Sequence, residues 1–238
     1  MAPVPRRFSH RQDAVLLRGR PRGPIPAGVT PSPVRSATTG SHNEQVSEIG
    51  VSEAGPQDID VVMDVYVASF VPMVRGYHPH VDERIFDEDV LRPMWQKLLL
   101  DQRSTVWLAR QSSPVDAPSA AVLAVKPSSN AETLELAKLF VRPQGQSNGI
   151  GRYLTEMALN FAASGGYQYM DLWTWEVGQQ GRRFYESMGF RLTSDRGVSG
   201  YPGIDPASDV TLRYERAVHG AEVDRAGMSA DSLLRMPR

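Results

Sequence analysis

The strongest chemical signal in the chain is a strand that runs into a glycine-containing turn and then a helix. The strand is Leu134-Glu135-Leu136-Ala137-Lys138-Leu139-Phe140-Val141-Arg142-Pro143. The turn is Gln146-Ser147-Asn148-Gly149-Ile150-Gly151-Arg152. At a helix N-terminus the first amides have no intrahelical partner. With the helix dipole they form an anion site. Gly149 and Gly151 allow close backbone approach to a pyrophosphate, and Arg152 adds a positive charge. The chain contains no G-x-x-x-x-G-K-[ST] and no G-x-G-x-x-G followed by an acidic residue after the next strand, so the common nucleotide fingerprints do not apply. Taken alone, the G-x-G is a weak signal that reads first as a tight strand-to-helix turn.

Other chemistries are weaker. The 238 residues include no cysteine, which excludes disulfides, thiolate metal ligands and a cysteine nucleophile. No Ser-His-Asp arrangement is recognisable. His78-Pro79-His80 places two imidazoles beside a proline with no third ligand evident, so no metal is expected. Charges nearly cancel, with Lys+Arg 26 against Asp+Glu 27, which argues against a surface that coats nucleic acid. No apolar run reaches the length of a membrane span. Lysine occurs only at Lys97, Lys126 and Lys138, a bias that hints at a GC-rich bacterial source.

The elements that must hold the turn read as follows. Ile49–Glu53 is a first strand, and Ile59, Val62, Met63, Tyr66 and Phe70 trace an amphipathic helix ending near Pro72. Residues 76–84 are a loop. Leu91, Met94, Trp95, Leu98 and Leu99 mark a second helix, with Pro93 kinking it or lying in its first turn. Thr105–Ala109, Ala120–Val125 and Leu134–Val141 are strands. Ile150, Leu154, Met157, Ala158 and Phe161 trace a helix stopped by Gly165-Gly166. Then come a strand at Tyr167–Trp175, a short helix at Arg182–Met188, and strands at Phe190–Thr193 and Val210–Tyr214. The order β-α-α-β-β-β-α-β-α-β-β predicts one α/β domain with a mixed, mostly antiparallel sheet flanked by helices.

Both ends differ from this core. Residues 1–46 hold seven arginines and seven prolines against Asp13 and Glu44, with no sustained hydrophobic period. Such a segment cannot offset its ordering entropy, so a disordered extension is expected, with 47–217 as the domain and 218–238 as a tail. An Arg-rich start also suggests a transit peptide, but Pro21, Pro24 and Pro26 oppose the helix that would need.

The pattern Q-x-x-G-x-G after a strand ending in Val141-x-Pro143, followed by Phe184-Tyr185-Glu186-Ser187-Met188-Gly189-Phe190, resembles the GNAT superfamily of N-acetyltransferases. The matching elements run from about Ile49 to Ala217, roughly 70% of the chain. The resemblance implies the GNAT fold with splayed central strands and acetyl-CoA as cosubstrate. It implies that amides of Gln146, Ser147, Asn148, Gly149, Ile150 and Gly151, with Arg152, hold the CoA pyrophosphate. It implies that Leu139-Phe140-Val141 pairs with pantetheine through backbone groups of Leu139 and Val141, the Leu139 amide facing the thioester oxygen. Tyr185 matches the family tyrosine near the CoA sulfur. Glu135 lies six residues before Val141, where some members carry a general-base glutamate. Many members have Asn seven residues before the tyrosine and Ala four before it; here Gly178 and Gly181 stand there, and the turn is expected to be floppier.

Amine acylation needs a base to take a proton, a donor for the tetrahedral oxyanion and a proton for the sulfur. The resemblance assigns these to Glu135, the Leu139 amide and Tyr185, acting by direct transfer in a ternary complex. Glu176 is a rival base, Lys138 reads as a solvated strand residue, and Tyr77, His78, His80, one of Trp173 and Trp175, and the loop Gly197–Ser208 are candidates for the acceptor wall. The expected acceptor is a small-molecule or peptide primary amine in a cytoplasmic enzyme. A homodimer stays open, and neither membrane nor nucleic acid is expected. The alternatives are an acyl-CoA-binding regulatory module without turnover, and an interaction protein that uses its Arg-rich arm.

Overall fold

Runs of apolar residues bounded by turn-formers pair into one seven-stranded sheet. Its strands are β1 (Ile49–Glu53), β2 (Thr105–Gln111), β3 (Ala121–Pro127), β4 (Thr133–Val141), β5 (Tyr169–Trp175), β6 (Arg191–Val198) and β7 (Val210–Ala217). The principal helices are α1 (Ile59–Tyr77), α2 (Glu88–Leu100), α3 (Ile150–Ser164) and α4 (Gln179–Ser187). Their order along the chain is the order read from the sequence. The computed structural model describes residues 49–111, 119–201 and 203–218. The expected extension 1–46, and the tail beyond Val218, lie outside the described residues. Among the described residues no helix is long and apolar enough to cross a membrane.

The sheet order is β1-β2-β3-β4-β5-β7-β6. Every neighbouring pair is antiparallel except β4 and β5, which are parallel. Strand β3 shows why the sequence gives a two-faced core. Ala121, Leu123 and Val125 pack with Leu154, Ala158 and Ala162 of α3, while Val122 and Ala124 pack with Val62, Tyr66 and Phe70 of α1. A strand covered on both faces reads as a continuous apolar run rather than an alternating one.

The central pair parts early. Strands β4 and β5 share only three rungs, Thr133–Tyr169, Leu134–Met170 and Glu135–Asp171. Just past that point the register against β3 shifts, because Ala124 opposes Lys138 while Val125 opposes Leu136. Ala137 is therefore an extra residue, and a bulge of this kind bends its strand. The bend accompanies the parting of β4 from β5, so from Leu136 to Val141 the strand pairs only with β3.

Some boundaries differ from the sequence reading. Helix α1 continues through Pro72 to Tyr77. An interior proline costs about 3 kcal/mol, and burial of Val74 on the far side, with a His78 N–H to Val74 carbonyl bond of 2.7 Å, offsets it. Pro93 lies inside α2, past its first turn. Strands β6 and β7 each run longer than expected. Val218, assigned to the tail, is buried, and its N–H donates to the Gln168 carbonyl at 2.8 Å.

Candidate active site

Glu135 stands at the apex where β4 and β5 part. Ala124 and Lys126 lie on one face of β3, so their partners Lys138 and Glu135 share the face toward α1. The Glu135 carboxylate is mostly buried and 3.2 Å from the Lys126 ammonium. Burial pushes its pKa up, Lys126 and Lys138 oppose that, and Asp171 adds to it. The net direction is upward, which suits a general base.

Asp171 is a site residue the sequence reading did not name. It is 2% exposed, and its Oδ2 accepts from Arg213 Nε at 2.9 Å and Ser128 Oγ at 3.0 Å. Its Oδ1 is buried without a partner among the described residues. The signal that would have found it is parallel register with Glu135, which needs the pairing itself.

The turn after β4 has the conformation an anion site requires. Gly149 precedes α3 with φ +78°, and Ser147 also has positive φ, 66°. Nothing lies within 4 Å of the position a Gly149 Cβ would take, so the turn is open there. Gly151 differs: its Cβ would meet the Phe184 ring at 3.5 Å and Val141 Cγ2 at 3.7 Å. Its small size brings α3 close to α4. Gln146 also has a side-chain role, since its Nε2 donates to the Val141 carbonyl at 3.2 Å. Pantetheine pairing with that carbonyl would have to displace this bond. Arg152 is exposed and lines a cleft of about 540 Å³ with Glu156, Ser187 and Arg216.

Helix α4 carries Tyr185. Its start is tied down by Arg182, whose Nη1 donates to the Glu176 carbonyl and whose Nε donates to Tyr214 Oη, both at 3.1 Å. Tyr214 Oη in turn donates to Glu186 at 2.9 Å. The Tyr185 ring packs edge-on to Phe184 and Phe190, at 5.1 and 5.9 Å between centroids. Burial raises its phenol above the usual value, so it keeps its proton through neutral pH. No hydrogen bond engages that hydroxyl among the described residues, which leaves it available to a substrate atom.

At Gly178, where the turn was expected to be floppier, the backbone makes a hydrogen bond and leaves little room for a side chain. Gly178 N–H donates to the Trp175 carbonyl at 3.0 Å, and a Cβ there would meet that carbonyl at 3.1 Å and the Tyr77 ring at 3.4 Å. Tyr77, at the end of α1, fills the space a larger residue would need.

The opposite wall forms on the α1 face. Trp173 and Trp175 share that face; Trp175 is buried and Trp173 is 42% exposed. His78 is buried against Trp175 with its Nδ1 3.4 Å from Ser208 Oγ, while His80 is exposed. The two imidazoles therefore part company, and among the described residues no group of His, Asp or Glu is placed to hold a metal. Glu176 pairs with Arg196 at 2.7 Å. The loop after β6 crosses to this face. Its Tyr201 packs on Phe70 at 4.9 Å and Trp175 at 5.9 Å, and its hydroxyl lies 2.9 Å from that of Tyr66. Asp209 anchors the loop by accepting from Trp175 Nε1 and Gly200 N, both at 2.9 Å, and from Ser199 Oγ. Tyr201 lies in the loop Gly197–Ser208 that the sequence offered as an acceptor wall; Asp209, just beyond it, was missed, because its anchoring role depends on a long-range crossing that local pattern does not encode.

Comparisons with known proteins agree with this architecture. Residues 102–192 match the family described as an acetyltransferase (GNAT) domain. N-acetyltransferase 8F1 of Rattus norvegicus is 28% identical over 118 residues, 50% of this chain and 53% of that protein. N-acetyltransferase family 8 member 2 of the same organism is 30% identical over 103 residues, 43% and 46% respectively. The chain thus spans about half the length of the curated relatives it matches. The PaiA N-acetyltransferase of Thermoplasma acidophilum, solved in complex with coenzyme A, superimposes with a TM-score of 0.56 at 16% identity, over 71% of this chain and 98% of that one. An acetyltransferase from Thermus thermophilus gives 0.53 at 20% identity, over 71% and 96%. At such identities the structural likeness shows the fold. The region 102–192, which matches the acetyltransferase (GNAT) domain, lies within that fold and contains the bent β4, the turn at Gly149 and Tyr185.

Proposed function

We propose that this protein transfers an acetyl group from acetyl-CoA to a primary amine, by direct attack in a ternary complex. The observation that carries the reading is the parting of β4 and β5 beyond Glu135–Asp171. It leaves the Leu136–Val141 stretch without a partner on its β5 side, next to the open turn at Gly149. An extended pantetheine fits such an edge as an added strand, with its pyrophosphate on the amides of Gln146–Gly151 and beside Arg152.

Each residue then has a task. Glu135, with its raised pKa, accepts the proton of an ammonium group, directly or through water. The Leu139 amide donates to the oxyanion. Tyr185 donates a hydrogen bond to the departing thiolate. A reference thiol has a pKa of about 8.5 and a phenol about 10. A phenol weakened further by burial therefore stabilises the thiolate by hydrogen bonding more than by full proton transfer. The domain proposed for this work is 47–217, in a cytoplasmic enzyme, and the arginine-for-lysine bias supports a GC-rich bacterial source.

A second reading is an acyl-CoA-binding module without turnover, supported by glycines at 178 and 181 in place of the family's Asn and Ala. Thiol release from acetyl-CoA across an amine panel separates the two. The transferase reading expects amine-dependent release that Tyr185→Phe strongly reduces. CoA binding without release on any amine would support the module.

A further inference from the structure

Lys138 is placed unlike any other cation around the splay. Lys126 meets Glu135 at 3.2 Å, Arg213 meets Asp171 at 2.8 Å and Arg196 meets Glu176 at 2.7 Å. Lys138 is half-buried, yet among the described residues it has no carboxylate within 4 Å and no hydrogen bond. Its recorded contact is the Tyr201 ring, 5.8 Å from ammonium to centroid. It shares the α1 face of β4 with Glu135 and is chain neighbour to Leu139.

An ammonium has three donors and is strongly hydrated. Lys138 feels the charge of Glu135, but that carboxylate is already paired with Lys126, so the three ammonium donors of Lys138 stay open to an anion arriving from outside. The geometry points to Lys138 as the group that binds a carboxylate on the acceptor, which makes α-amino acids the substrate class. The inference rests on the transferase reading. An amino acid is complementary to this face, because its amine can turn to Glu135 while its carboxylate meets Lys138. A neutral or dicationic amine would leave Lys138 unpaired or opposed.

The test uses the full chain, acetyl-CoA and matched pairs: phenylalanine with phenethylamine, and leucine with isoamylamine, followed by thiol release. A bond to a charged group is worth roughly tenfold to a hundredfold in affinity. Wild type should prefer each amino acid over its decarboxylated partner. Measured at a pH above the Glu135 acid limb, where the lost charge acts alike on both members of a pair, Lys138→Met should raise KM for the amino acids by roughly tenfold to a hundredfold beyond any change on the plain amines. Lys138→Arg should retain most of the preference. Unchanged acetyl-CoA binding in both variants excludes misfolding as the cause. Equal losses on both members of each pair would mean that Lys138 acts through Glu135, and would overturn the inference. No change in preference would overturn it as well. Turnover of plain amines with no wild-type preference sinks this inference alone, whereas no turnover of any amine sinks the transferase reading beneath it.

Discussion

Glu135 and Asp171 face each other across the last rung that β4 and β5 share. The Asp171 charge disfavours the ionised form of Glu135. The protein balances them separately, with Lys126 on Glu135 and Arg213 on Asp171. Burial still prevails at Glu135, whose pKa is raised.

A pH profile reads this balance. The base must be ionised, so kcat/KM should climb with pH through the raised Glu135 pKa. Lys126→Met removes a charge that lowers that pKa, and the acid limb should move to higher pH. Asp171→Asn removes a like charge, and the limb should move to lower pH. Shifts of the same sign in both variants would contradict the assignment.

Glu135→Gln should cut kcat by roughly 10²–10⁴-fold while acetyl-CoA affinity holds. It should also change stability with a defined sign. A carboxylate raised by burial stabilises the fold when protonated, and that contribution is lost as pH rises through its folded pKa. The melting temperature of Glu135→Gln relative to wild type should therefore increase from acid to neutral pH.

Gly149 has φ +78° and open space around its missing Cβ. Gly149→Ala should cost about 1–2 kcal/mol through backbone strain alone, with weaker acetyl-CoA binding measured by titration. Gly149→Asn should cost less, since Asn tolerates this conformation. Equal losses would point to a clash instead.

Gly178→Asn should not restore a family-like turn here. Its Cβ would press on the Trp175 carbonyl and the Tyr77 ring. Loss of about 1–3 kcal/mol is expected on denaturant unfolding. Tyr77→Ala in the same chain should recover part of it, with coupling of about 0.5–3 kcal/mol. Additive losses would mean that Tyr77 does not fill the space.

Much of this was legible in the chain. The element order followed from hydrophobic period, and the anion turn from Gly149 preceding an amphipathic helix. Glu135 and Tyr185 followed from their place in motifs that resemble a family. What escaped depends on contacts between distant segments. Pro72 was read as a helix end because local rules cannot see Val74 reaching the core. Asp171 needed strand register, and Asp209 needed the crossing that brings the loop Gly197–Ser208 onto Phe70 and Trp175.

The central claim is acetyl transfer at the parted strands, with Tyr185 facing the leaving sulfur. The most direct measurement is mass spectrometry of an amine panel incubated with acetyl-CoA and the full chain, with thiol release followed in parallel. Wild type should give an acetylated amine and free thiol in equal amounts, and Tyr185→Phe should bind acetyl-CoA but form both far more slowly. Acetyl-CoA binding with neither product from any amine, or full activity in Tyr185→Phe, would contradict the account.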